Sequence, residues 1–428
     1  MILKNSLFLI LGKVVTLGLG LVYFVFLAKE VGDYQFGVFS FCLAIAALLS
    51  PVMQVGLNSF VTKELVRGRG AESKILGTTL FIRCCASILV IVMALIVLIV
   101  YGDTIDYRML VFVLLLSEMC KVGAVFMHGL ESIESASSIA KIQAVVSILF
   151  TILKLFLIFL DTSIIYLAWL HVAESILISY LYYIVFKAEA SLQELTFSSD
   201  TMKEYLRSTW FLVLSGFSAV AYFKIDQIMI ANILGFEPLG VYSLISKFSE
   251  CWFFVPALFV TALFPKIIKS ASGPKIDYEM DIQFVFDILL YLSLCAILSI
   301  SIIAYFILPF IGESYLSAYG VLLLHLFSGI FISLRALVSK LILIEDLLYV
   351  SLLTQLAGLI VNLILNLVFI PLLGLYGAAL ATLISYAVSS YFSLFFISST
   401  RSWFRIMSGT FIGAFSRINK NLRRLMYL

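Results

Sequence analysis

The sequence predicts an all-α integral membrane protein, with about 12 transmembrane helices in two six-helix lobes and both termini cytoplasmic. Four observations predict it. The composition is 63% hydrophobic and only 12% charged, with a mean hydropathy of +1.13, far outside the range of soluble domains. Apolar runs of about 20 residues, the length an α-helix needs to cross roughly 30 Å of hydrocarbon, follow one another along nearly the whole chain. Segments such as ILVIVMALIVLIV (88–100) are apolar on every side, whereas membrane β-strands alternate polar and apolar residues. Finally, VGDYQFGVFS at 31–40 returns as LGFEPLGVYS at 234–243, an offset of 203.

In chain order the spans lie at about 5–28, 36–57, 75–100, 109–130, 142–160, 164–186, 209–233, 239–264, 283–308, 317–341, 348–370 and 376–398. The opening MILKNSLFLILGKVV is interrupted by Lys13 and has no small-x-small cleavage site, so it reads as an uncleaved first span. About 19 basic residues fall on the side shared by the termini: Lys4, Lys63, Arg67, Arg69, Lys74, Lys141, Lys187, Lys203, Arg207, Lys266, Lys269, Lys275, Lys340, Arg401, Arg405, Arg417, Lys420, Arg423 and Arg424. Only Lys29 and Arg108 fall on the other, and by the positive-inside rule the termini are cytoplasmic. The outer loops YGDTIDYR, DTS, GFEP, PFIGESY and PLLGLYG are too short to house a domain. The longest connection is internal, at 187–208, where Thr201 and Glu204 read as a capping box opening the seventh helix. The resulting division is an N-terminal lobe at 1–187, a cytoplasmic linker at 188–207, a C-terminal lobe at 208–400 and a basic cytoplasmic tail at 401–428 lying along the anionic inner leaflet.

Both copies of the repeat join the first helix of a lobe to its second. Gly32 matches Gly235, Gly37 matches Gly240, Val38 matches Val241, Phe39 matches Tyr242 and Ser40 matches Ser243. A tight turn between antiparallel membrane helices demands the backbone freedom of glycine and a small-residue helix start. Proline recurs at Pro51 and Pro256, at an offset of 205. An even number of spans per lobe gives both copies the same orientation, which implies a pseudo-two-fold axis along the membrane normal.

Seven basic residues lie inside spans (Lys13, Arg83, Lys121, Lys154, Lys224, Lys247 and Arg335) against four acids (Glu118, Glu174, Asp226 and Glu250). Each costs about 2.5–3.5 kcal/mol at a helix centre, so the set must pair up or line a wet interior. Glu118/Lys121, His171/Glu174 and Lys247/Glu250 are i,i+3 and share a helix face, whereas Lys224/Asp226 are i,i+2 and do not. Arg335 lies near enough to an inner helix end to snorkel. Intrahelical pairing accounts for any one pair but not for the set, because seven cations against four anions leaves three. A surplus of positive charge in a polar interior suits an anionic passenger such as a phosphate. The candidate substrate-binding residues are therefore Lys121, Lys154, Lys224, Lys247, Arg83 and Lys13, and the candidate ion-coupling residues are Glu118, Glu174, Asp226 and Glu250. His128, His171 and His325 read as proton relays or as hydrogen-bonded packing residues, and Tyr222, Tyr291, Tyr305 and Tyr386 as sugar contacts or packing. No catalytic, cofactor or metal site is expected, since GxxxxGK[ST], HExxH and GxSxG are absent and the six cysteines, read as small core residues, lack CxxC spacing. A nucleic-acid partner is not expected either.

Five stretches carry a family resemblance: VGDYQFGVFS after the first helix, KIDQIMIANILGFEPLGVYSLISKFSE across the seventh and eighth, VPALFVTALFP ending the eighth, GESYLSA before the tenth and LLGLYGAALATLISY into the twelfth. Over nearly the whole chain the sequence resembles the Wzx-type O-antigen and polysaccharide flippases of the multidrug/oligosaccharidyl-lipid/polysaccharide (MOP) exporter superfamily. The resemblance implies a MATE-like fold with a central cationic cavity that opens alternately to each side. It also implies a non-enzymatic function, translocation of undecaprenyl-pyrophosphate-linked oligosaccharide units, as used for O-antigen and lipopolysaccharide, across a bacterial cytoplasmic (inner) membrane. Membrane lipids, a polysaccharide polymerase and other assembly proteins are the implied partners. Lys224, Asp226, Lys247 and Glu250 fall in the matching stretches. The peptidoglycan-precursor flippase of the same superfamily resembles the chain less, because it carries two further helices. Three alternatives stand beside this reading: a cation-coupled multidrug exporter, which the positive interior fits poorly; a membrane-embedded polymerase or ligase, which the short outer loops disfavour; and a non-transporting scaffold.

Overall fold

The computed structural model describes residues 2–68, 71–101, 105–190, 194–419 and 421. Arg69, Lys420, Arg423 and Arg424 of the inner basic set lie outside the described residues, as do the side chains of Lys4 and Arg67. Every described element is a helix. Eleven stretches are long and apolar enough to cross a membrane, and the first, Gly12–Met53, runs for 42 residues but is broken at Gly32 (φ 77°, ψ 167°) into two arms. With that break the helices correspond one for one to the expected spans; Ile164–Ala190, for example, covers the run drawn at 164–186.

The chain packs into two compact units, one comprising Met1–Ala231 with Phe236–Gly240 and the other Asn232–Gly235 with Val241–Leu428. The repeat explains the turns. Gly32 and Gly235 (φ 100°, ψ −176°) share a backbone conformation that only glycine enters without strain. Gly37 and Gly240, both in the first unit, pack reciprocally: a Cβ on Gly37 would collide with the Phe236 carbonyl oxygen, and one on Gly240 with that of Asp33. Asp33 and Phe236 are themselves 203 residues apart, so the contact is self-complementary, as a local two-fold demands. The prolines are not equivalent. Pro51 precedes the helix end at Met53, whereas Pro256 is the third residue of helix Phe254–Ala271, in a first turn that tolerates a missing N–H.

The core of the first unit gathers Leu57, Val61, Leu76, Val125, Leu130 and Phe186. Two of these residues flank or belong to the short helix Asn58–Arg67, a segment the sequence drew as loop. The linker is held to the helix Glu72–Tyr101, with the Thr196 amide donating to the Ser73 carbonyl at 3.3 Å and the Ser198 amide to Thr78 Oγ1 at 3.1 Å. The next helix, Ser199–Ile233, opens earlier than expected. Its cap is Ser198, whose Oγ accepts from the Thr201 amide at 3.4 Å, so Thr201 is the recipient of a cap rather than its source.

In the second unit the core gathers Val260, Phe286, Leu334, Leu337, Leu341, Trp403 and Met407. The tail therefore begins as structure: helix Arg401–Gly413 packs on helix Lys275–Ile311 through buried Trp403, Met407 and Thr410, leaving Arg401, Arg405 and Ile412 exposed. The cysteines are not uniformly core residues. Cys42 is buried, but Cys85 and Cys295 face outward.

Candidate functional site

The i,i+3 pair of Glu118 and Lys121 forms as drawn. A 3₁₀ segment, Lys121–Ala124, interrupts the helical run between Ile105–Cys120 and Val125–Ser132, and Lys121 keeps 45% of its side chain exposed. From Glu118 a chain of hydrogen bonds leads to a second expected cation. Ser50 Oγ donates to Glu118 Oε2 at 2.8 Å, Gln54 Nε2 to Ser50 Oγ at 2.7 Å, Asn58 Nδ2 to Gln54 Oε1 at 2.7 Å, and Arg83 Nη2 to Asn58 Oδ1 at 2.7 Å. Arg83 is 1% exposed, meets no carboxylate among the described residues, and its Nε–H has no hydrogen-bond partner there. A buried guanidinium with one neutral acceptor is costly on its own, and its planar donors match a phosphate or carboxylate.

Lys154 is only 5% exposed and donates to Glu174 Oε2 at 2.5 Å, with His171 Nδ1 at 3.3 Å and the Tyr23 ring centroid at 5.2 Å. The sequence coupled Glu174 to His171 along one helix. His171 does lie 3.9 Å from the same carboxylate oxygen, but the close partner is Lys154, on the helix Ala136–Phe159. This site is neutral within itself.

The other expected residues are placed as follows. Lys13 is exposed and has no ion pair among the described residues. Lys224 is half-buried, while Asp226 is buried and accepts the Gln227 amide at 2.7 Å. Lys247 and Glu250 are half-buried near the end of helix Phe236–Glu250. Arg335 does not snorkel. Its Nη1 donates to Thr354 Oγ1 at 2.8 Å and to the Ser389 carbonyl at 3.2 Å, bracing the π-helical turn Val388–Phe392. The histidines are hydrogen-bonded, His128 to Glu131 at 2.9 Å and His325 to Ser249 at 2.5 Å. Tyr291 ties down the chain after the tail helix by donating to the Ala414 carbonyl at 2.5 Å, and Tyr305 is exposed.

Two polar features of the second unit were missed. Asp287, fully buried inside an expected span, is clamped by Arg417, which donates from Nε to Oδ2 at 2.7 Å and from Nη2 to Oδ1 at 2.8 Å, with Asn421 and Gln283 completing its shell. The clamp adds one charge of each sign and leaves the cation surplus unchanged. A neutral cluster lies elsewhere in the unit. Fully buried Asn366 donates to Asn362 Oδ1 at 3.0 Å, and Asn362 to Ser385 Oγ at 3.1 Å. Asn366 Oδ1 and Thr382 Oγ1 have no hydrogen-bond partner among the described residues. Uncharged oxygens are the donor set that hard cations take. Among the described residues no group of three or more His, Cys, Asp or Glu side chains could hold a metal.

Helices of this number, length and apolar character describe a multi-pass membrane protein, and its fold is that of solved exporters of the MOP superfamily. Among solved structures, the chain is similar to a lipid II flippase MurJ in an inward closed conformation, with a TM-score of 0.73 at 16% identity over 98% of this chain and 93% of that one. It is also similar to an inward-facing multidrug resistance MATE family transporter, with a TM-score of 0.65 at 14% identity over 92% and 95%. A MOP superfamily transporter from Pyrococcus furiosus gives a TM-score of 0.59 at 15% identity over 95% and 96%. The further helices expected to set the peptidoglycan-precursor flippase apart leave 93% of that chain matched. Compared with curated proteins by sequence, the chain matches none. The family model described as "Polysaccharide biosynthesis protein" matches residues 2–271, more than half the sequence, and the chain belongs to that family.

Proposed function

We propose that the chain is a non-enzymatic flippase that moves undecaprenyl-pyrophosphate-linked oligosaccharide units, of the O-antigen or a related surface polysaccharide, from the cytoplasmic to the outer leaflet of a bacterial inner membrane. The observation that carries this reading is Arg83, a guanidinium removed from solvent, answered by an amide rather than an acid, and linked through three side chains to the Glu118/Lys121 pair. An interior that holds a cation without its own anion is prepared for an anionic headgroup. Lys121, Lys224, Lys247 and Lys13 remain candidate contacts beside Arg83. Lys154, neutralised by Glu174, becomes the weakest of the set. Coupling to an ion is assigned to Glu118, Asp226 and Glu250, and to the oxygens of Asn366 and Thr382. The lobes remain those of the repeat, 1–187 and 208–400, with a polymerase acting on the product.

The test is leaflet sidedness. Removing the gene should accumulate lipid-linked repeat units on the cytosolic face, and Arg83→Gln, expressed at wild-type level, should fail to clear them. Normal delivery of the repeat unit by Arg83→Gln would sink the site. Dye efflux without any polysaccharide defect would instead establish the multidrug exporter, whose fold this chain shares.

A further inference from the structure

A cavity of about 560 Å³ lies in the second unit where three spans end together: helix Phe254–Ala271 contributes Phe264, Ile268 and Ala271, helix Lys275–Ile311 contributes Tyr278, and helix Tyr319–Ile344 runs into Glu345. Its volume is that of a small-ligand site. The proposed transport uses none of these residues. Their positions at span ends, on the side that carries Lys266, Lys269, Lys275 and Lys340, put the cavity at the membrane–water boundary rather than in the hydrocarbon.

The walls are amphiphilic, with Glu345 the charged side chain among them. Glu345 is held by Tyr278 Oη–H at 3.3 Å and Trp403 Nε1–H at 3.2 Å, and both donate to Oε1. Glu345 Oε2 has no hydrogen-bond partner among the described residues, and no cation there pairs with the carboxylate. Beside the cavity, Lys340 holds its ammonium 4.9 Å from the ring centroid of Phe264, a lining residue, likewise without an ion pair among the described residues. Exposed Ile268 and Leu343 supply an apolar border. A fixed carboxylate with one open oxygen, a lysine resting on an aromatic wall and aliphatic side chains at the mouth complement a ligand that carries an ammonium, a phosphate and acyl chains.

We propose that this cavity is a headgroup site for phosphatidylethanolamine, with the lipid ammonium donating to Glu345 Oε2 and the phosphate accepting from Lys340. Phosphatidylglycerol lacks the ammonium, and phosphatidylcholine carries one with no N–H to donate, so the three lipids separate the two contacts. A free anion would need only Lys340 and would ignore Glu345.

The test is native mass spectrometry of the full chain in detergent with each lipid added in turn. Phosphatidylethanolamine should be retained about tenfold over the other two, the ratio one charge-assisted hydrogen bond supplies. Glu345→Gln keeps an acceptor for Tyr278 and Trp403 and should fold, yet it should abolish the preference over phosphatidylcholine. Lys340→Gln should weaken both lipids equally and leave their ratio intact. Equal retention of phosphatidylglycerol, or an unchanged ratio in Glu345→Gln, overturns the assignment. Inorganic phosphate that displaces the lipid stoichiometrically would show an anion site and overturn it as well.

Discussion

In the first unit two cations are withdrawn from water: Arg83 is buried with an amide as its acceptor, and Lys154 is buried against Glu174. In the second the buried charges are acids, Asp281 facing Lys266 and the fully buried Asp287 answered from beyond the spans by Arg417, beside a neutral cluster of Asn362, Asn366, Thr382 and Ser385. Hydrogen bonding to Asp287 raises the Arg417 guanidinium above its ordinary range, so the cation of that clamp stays charged. The difference is one of consequence. A charge in low dielectric demands an opposite charge at once, whereas an amide short of one hydrogen bond costs only about 1–3 kcal/mol. On the proposed function, the first unit would be the one to respond to an anion, and the second the one to accept a small cation.

The largest effect expected from breaking this contrast is at Glu174. Glu174→Gln leaves the Lys154 ammonium buried without its anion, and removing one partner of a buried pair costs about 3–5 kcal/mol. Thermal unfolding of the purified protein should show the loss directly. The double variant Lys154→Met with Glu174→Leu should recover most of it, because a well-packed apolar pair of similar volume replaces a buried ion pair at little cost. That double variant also separates the two roles. If it folds and still delivers repeat units, Lys154 and Glu174 are structural; if it folds and delivers none, they belong to the passage.

Next in size is the most deeply buried charge of the second unit. Asp287→Asn removes one side of a bidentate clamp and should cost about 1.5–3 kcal/mol, the range of hydrogen bonds to charged groups. It should also expose the segment after Arg401 to proteolysis, because Arg417 and Asn421 are held by the same carboxylate. Unchanged protection of that segment would mean that packing of Trp403 and Met407 alone holds the tail.

The sequence showed the helices well because a membrane span is a local property: twenty apolar residues in a row need no partner to be recognised. The glycine turns were equally local, since φ values like those of Gly32 and Gly235 leave few other residue types possible. The site was less legible. Lys121 and Glu118 could be paired from i,i+3 spacing, but Lys154 and Glu174 meet across two helices, and spacing along one helix pointed Glu174 to His171 instead. Asp287 sat in plain view inside an apolar run, and its partner lies 130 residues later in a segment read as a basic tail along the inner leaflet. Asn362 and Asn366 escaped because the search weighed formal charge, whereas the property that matters in a dry interior is an oxygen left without a donor. An i,i+4 Asn pair in a twenty-residue apolar run was the available signal.

The smallest expected effect tests the neutral half of the contrast. Thr382→Val removes a buried hydroxyl that has no partner among the described residues, so stability in sodium-free buffer should change by less than about 1 kcal/mol. A bound cation changes that expectation, because a ligand that binds only the folded state stabilises it in proportion to the logarithm of its concentration. If Thr382 and Asn366 coordinate sodium, the wild-type melting temperature should rise with sodium but not with choline at equal ionic strength, and Thr382→Val should flatten that rise. Parallel titrations in the two proteins would leave the second unit's oxygens as packing alone and return the coupling role to Glu118, Asp226 and Glu250.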